Sequence, residues 1–179
     1  MGKYQTTEMG CRMKPFPELY YFIAIVTAVI VFSLITLVAV NCGADEIDMS
    51  IIAQIESSNN PDAYNVLSKA TGLYGITPVC LLDFNNYHKR KYSISEMFMP
   101  KKGYSVAFWY MNVRIPQLLK HYKIYHTSVK ELDLLKIICY NWGIGNCIKW
   151  NKQGKNFNSL PKETRRYYES YVKTKSNKF

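Results

Sequence analysis

Metal-binding and redox side chains are scarce in this chain. Three histidines and five cysteines serve 179 residues, and no two cysteines stand at C-x-x-C spacing. Neither a metal centre nor a dithiol site can be assembled from such spacing, and no cofactor is expected. His88, His121 and His126 lie among lysines and tyrosines and read as surface residues. Cys80, Cys139 and Cys147 read as buried small apolar residues, with one disulfide among them left open. Acids are also short, at 13 Asp+Glu against 23 Lys+Arg. No stretch alternates apolar and polar residues as a half-buried strand does, so an all-β architecture is excluded, and there are no internal repeats.

Charge is absent altogether from Leu19 to Val40, a run of 22 residues. As a helix rising about 1.5 Å per residue it would span roughly 33 Å, enough for a bilayer core. Lys3, Arg12 and Lys14 precede it, and Asp45, Glu46 and Asp48 follow. This asymmetry predicts a cytoplasmic segment at 1–18, a transmembrane helix or signal anchor at 19–41, and export of the rest. A cleaved signal peptide is the alternative, with Ala39, Gly43 and Ala44 near a cleavage point. Against it, the run exceeds the roughly 7 to 15 residues of a leader core. Cys42 follows Asn41, where a lipoprotein signal wants a small residue, which argues against lipidation. The expectation is a single-pass inner-membrane protein whose body lies in the periplasm.

From Asp45 onward the formal charge is +9, with 20 basic and 11 acidic residues. Outside the cytoplasm such a field suits anionic wall polymer or lipid headgroups rather than nucleic acid. The clusters His88–Lys91 and Lys101–Lys102 read equally well as solvated loops and helix ends.

The exported body reads as nearly all helix. Asp48 is a plausible N-cap for a short helix that presents Ile51, Ile52 and Ile55 on one face and ends near Glu56 or Ser57. A turn-rich link and a stretch with Gly72 and Gly75 follow, where the backbone needs unusual angles or close approach. Further helices are expected over "VCLLDFNNY", over "SVAFWYMNVRIPQLLKHY" with Pro116 kinking it or ending its first part, over "VKELDLLKIICYNWG" up to Gly143, and over "LPKETRRYYESYVKTK".

Glu56 is the acid with a possible task. Helix-end glutamates are usually solvated, but one at the negative end of a helix dipole and walled by aromatic rings would hold its proton at neutral pH and serve as a general acid.

Four short motifs around it resemble the lysozyme-like lytic transglycosylases, the soluble-lytic-transglycosylase family, over most of Asp48 to Lys173. "IESSNNPDA" is similar to the family's Glu-Ser followed by Asn-Pro-x-Ala, at Glu56, Ser57, Asn60, Pro61 and Ala63. "GLYGITP" resembles Gly-Leu-Met-Gln-Ile-x-Pro, with Tyr74 in place of Met and Gly75 in place of Gln. "CYNWGIGN" resembles Ala-Tyr-Asn-x-Gly at Tyr140, Asn141 and Gly143. "LPKETRRYYESYV" resembles Glu-Thr-x-x-Tyr at Glu163, Thr164 and Tyr167.

The resemblance implies a mainly α, lysozyme-like domain over 45–175, with peptidoglycan glycan strands as substrate. It implies cleavage of the β-1,4 bond between N-acetylmuramic acid and N-acetylglucosamine, leaving a 1,6-anhydro end. Glu56 would act first as acid and then as base. Ser57 would bond sugar or nearby backbone, Tyr140 would bring its hydroxyl to the acid, and Tyr74 and Tyr167 would line the cleft. Gly75 and Asn141 complete the expected substrate-binding set, while Trp142 and Trp150 are assigned to the core. A single acid is chemically sufficient when the substrate's own hydroxyl attacks, because proximity replaces the second carboxylate that water or an enzyme nucleophile requires. A lysozyme-type hydrolase and a non-catalytic wall-binding assembly protein are the other readings. Expected partners beyond the wall are the membrane, through the N-terminal helix, and a secretion or phage assembly.

Overall fold

The computed structural model describes residues 46–178, together with Val26. Seven α-helices occur among them: α1 Met49–Ser57, α2 Pro78–His88, α3 Pro100–Trp109, α4 Ile115–His121, α5 Val129–Trp142, α6 Ile144–Lys152 and α7 Lys162–Ser176. The described residues contain no strand, only isolated bridges pairing Thr71 with Tyr64 and with Ile76. The expected segment 1–18 and the span 19–41 lie, but for Val26, outside the described residues. Among those described, no helix is long and apolar enough to cross a membrane.

Local chemistry accounts for most helix ends. Asp48 caps α1 by accepting from the Ser50 N–H, Thr77 caps α2 by accepting from the Cys80 N–H, and Ser128 caps α5 by accepting from the Glu131 N–H. Each satisfies a donor that the first helical turn cannot. α1 ends as Ser58 turns into the left-handed region (φ 54°), and Asn59 follows it there (φ 63°). Polar residues that bond their own backbone tolerate this region best.

Pro116 does not end its helix. The winding widens over Tyr110–Arg114 into a π turn, in which the Ile115 N–H bonds the Tyr110 carbonyl, and α4 continues from there. Proline offers no N–H to the carbonyl four residues back and its ring crowds it, so a local change of winding is the accommodation. α3 also starts five residues earlier than the apolar pattern suggests, at Pro100, whose missing N–H costs nothing in a first turn. The short helix α6 was not foreseen; it begins directly after Gly143 (φ 84°).

Two apolar clusters form the core. One gathers Ile51, Ile52, Met97, Val106 and Met111, with Tyr167 and Tyr171 of α7. The other gathers Ile115, Leu135, Ile138, Cys147 and Trp150. α7 packs on both α1 and α5, so it ties the first described helix to the second cluster's main helix. Cys80, Cys139 and Cys147 are free thiols. The three histidines are exposed, as is the basic run His88–Lys91.

Candidate active site

The isoleucine face of α1 faces the core and fixes the rotation of the helix, which presents Glu56 at its last turn beside a cleft of about 720 Å³. That is ample for sugar rings, since ligand clefts run from roughly 300 to 1,000 Å³. One wall comes from the stretch between Ala63 and Cys80, with Tyr64, Asn65, Ser68 and Gly75. The other comes from the end of α5, with Tyr140, Asn141 and Trp142. Tyr110 and Glu163 also line it.

A tight loop positions the acid from one side. Thr71 and Ile76 exchange two backbone hydrogen bonds, both 3.0 Å, and the four residues between them turn back sharply. Gly75 has φ +60°, and a Cβ built on it would stand 2.5 Å from Glu56 Oε2. A side chain here would therefore both strain the backbone and displace the carboxyl. Where the resembled family has glutamine, this chain brings bare backbone against its acid. Gly72, at φ +75°, is equally constrained, because its Cβ would meet the Met97 carbonyl oxygen at 2.0 Å.

From the other side α7 supplies Tyr167, whose hydroxyl donates to Glu56 Oε1 at 2.7 Å. Burial lifts the Glu56 carboxyl to about 7; the Tyr167 hydrogen bond opposes this, and the charge of Glu163 adds to it. The dominant cause is thus loss of water around the group rather than its place at a helix end. Because Oε1 accepts from Tyr167, the acidic proton belongs on Oε2, the oxygen facing Gly75. A carboxyl that changes charge near neutrality can both give and take a proton there.

The expected site residues divide. Glu56, Gly75, Tyr140 and Asn141 line the cleft. Tyr140, however, does not bond the acid: its hydroxyl donates to the Tyr74 carbonyl at 2.6 Å, and the phenol that reaches Glu56 is that of Tyr167. Burial holds both phenols well above the ordinary tyrosine range, so both act as donors. Tyr74 faces the core, 7% exposed and edge-on to Tyr104. The Ser57 hydroxyl lies 3.0 Å from both the Ala53 and the Leu73 carbonyls, joining α1 to the glycine loop rather than facing the cleft.

Trp150 is core, as expected, but Trp142 is a cleft residue. Glu163 and Trp142 were each within a quoted motif, one a helical turn before Tyr167 and one between Asn141 and Gly143, so the signal for both was present. Tyr64 and Tyr110 carried no motif. Among the described residues no cluster of three or more histidine, cysteine or acidic side chains could hold a metal ion.

No curated protein and no solved structure matches the chain. A profile of the family described as "Transglycosylase SLT domain" matches residues 38–161, a span holding Glu56, the glycine loop and Asn141 but ending before Glu163 and Tyr167. The match covers more than half of the sequence, and the chain therefore belongs to the transglycosylase SLT domain family.

Proposed function

We propose that the protein is a lytic transglycosylase that cuts the β-1,4 bond between N-acetylmuramic acid and N-acetylglucosamine in peptidoglycan. Family membership carries the coarser statement, a transglycosylase acting on peptidoglycan; the geometry around Glu56 supports the finer one. Glu56 Oε2 gives its proton to the glycosidic oxygen as the bond from C1 breaks. The muramic acid 6-hydroxyl then closes on C1, and the Glu56 carboxylate takes the hydroxyl proton. The acid is regenerated and no water is consumed.

The observation that carries this reading is one partly buried carboxyl at the cleft, protonated up to about pH 7 and braced by a phenol. Digestion of purified sacculi tests it. The wild type should release muropeptides one water lighter than hydrolysed ones, and Glu56→Gln should lose at least about a hundredfold in rate, the scale of a general acid. Full lysis by Glu56→Gln would reject the assignment.

Hydrolysis is the second reading, because Glu163 shares the cleft and its charge is felt at Glu56. A second carboxylate is what a water-using glycosidase needs. Reducing muramic acid ends, together with loss of activity in Glu163→Gln, would establish it instead.

For the chain as a whole we propose an anchor at 19–41 with the catalytic body outside the membrane. Its task there is local opening of the wall, for growth or for passage of a secretion or phage apparatus.

A further inference from the structure

Four aromatic residues line the cleft: Tyr110 and Tyr140 pack edge-on against each other, whereas Trp142 and Tyr64 have no ring partner among the described residues. Trp142 is half-buried at the last residue of α5, with its carbonyl held by the Asn146 side chain at 2.8 Å and Gly143 turning the chain immediately after it. Tyr64 is 53% exposed on the other wall. Its backbone is pinned by the bridge to Thr71, by the Asn65 N–H bond to Ala70 (2.9 Å) and by the Gly72 N–H bond to Ala63 (2.8 Å). Both rings therefore stand on fixed backbone.

The three tryptophans of the chain differ in what their indole N–H meets. That of Trp150 donates to the Asn156 carbonyl at 2.8 Å in the core, and that of Trp109 is buried without a partner. Trp142 is half-buried among the residues that line the cleft, and its N–H has no partner among the described residues. An indole that lines a cleft suits a pyranose, which offers axial C–H groups to the ring and hydroxyls to the N–H.

We infer that Trp142 and Tyr64 are sugar platforms that grip the glycan strand across the cleft, with Trp142 the stronger. The inference rests on the reading of the cleft as a glycan site, and it concerns binding rather than the acid step.

Tryptophan emission tests it. The full-length Glu56→Gln protein is titrated with the β-1,4-linked N-acetylglucosamine tetrasaccharide, which it should bind without turning over. Emission should change saturably, because Trp142 is the indole that ligand can reach. Adding Trp142→Phe should abolish the change and weaken binding, read by calorimetry, by about tenfold, the scale of one good aromatic contact. Tyr64→Ala should weaken binding while leaving the emission change in place. With Glu56 intact, Trp142→Phe should raise KM on sacculi and spare kcat.

An undiminished emission change in the Trp142→Phe protein, equal affinities, or no tetrasaccharide binding would each overturn the platforms. The acid assignment fails separately. If the wild type leaves sacculi intact while the tetrasaccharide still binds through Trp142, the lytic reading falls and the platforms stand. If sacculi are digested and Trp142→Phe changes nothing, the platforms fall alone.

Discussion

Glu56 is set by three neighbours with distinct duties: the surrounding protein strips its water, Tyr167 orients it, and Gly75 leaves it room. Their removal should have different signatures. Tyr167→Phe deletes the donor that favours the charged carboxyl, so the Glu56 pKa should rise from about 7 to a higher value. As the working form is the protonated one, the alkaline limb of the pH–rate profile should move to higher pH, while the plateau drops because the carboxyl is no longer held. An unchanged limb would mean that Tyr167 acts elsewhere. Gly75→Ala places a methyl 2.5 Å from Glu56 Oε2 and forces a left-handed residue, costing about 1–2 kcal/mol from the backbone alone. The protein should keep its helical circular dichroism, melt several degrees lower and lose most lytic activity.

At the scale of elements, the site is a junction of α1, the glycine loop, α5 and α7. Ser57 joins the first two through backbone carbonyls. Ser57→Ala should therefore lower the melting temperature, by an amount corresponding to about 1 kcal/mol for a lost hydrogen bond, and leave KM on sacculi unchanged. A raised KM would instead make Ser57 a sugar ligand, as the motif resemblance implies.

The start of α1 and the stop of α5 were legible because capping is local: Asp48 and Gly143 act within one turn of chain, whereas the early start of α3 and the whole of α6 carried no such signal. The π turn was not, because whether proline breaks a helix or merely rewinds it depends on what the flanking turns pack against. The acid was legible from its motif, but the exchange of roles between Tyr140 and Tyr167 was not. Both phenols converge on the same corner, and only three-dimensional placement decides which oxygen each reaches. Trp142 shows the same limit: a tryptophan at a helix end can turn to core or cleft, and spacing does not choose.

For the whole molecule, the apolar run at Leu19–Val40 and the basic body are the ground for the proposed anchor at an anionic surface. The full chain should stay in the membrane fraction through alkaline extraction, and deletion of residues 1–41 should release it. Recovery of the intact chain in the soluble fraction would count against the anchor, and recovery of a shortened chain there would favour a cleaved leader.

The bond between Tyr167 and Glu56 joins residues 111 positions apart. α7 follows every other described helix, so the ribosome delivers the phenol long after the acid has emerged. Until then the carboxyl lacks its brace, and the core lacks Tyr167 and Tyr171. Bracing of the acid is in this way tied to the emergence of α7, and a nascent chain that stops short of it carries the acid without the means to aim it.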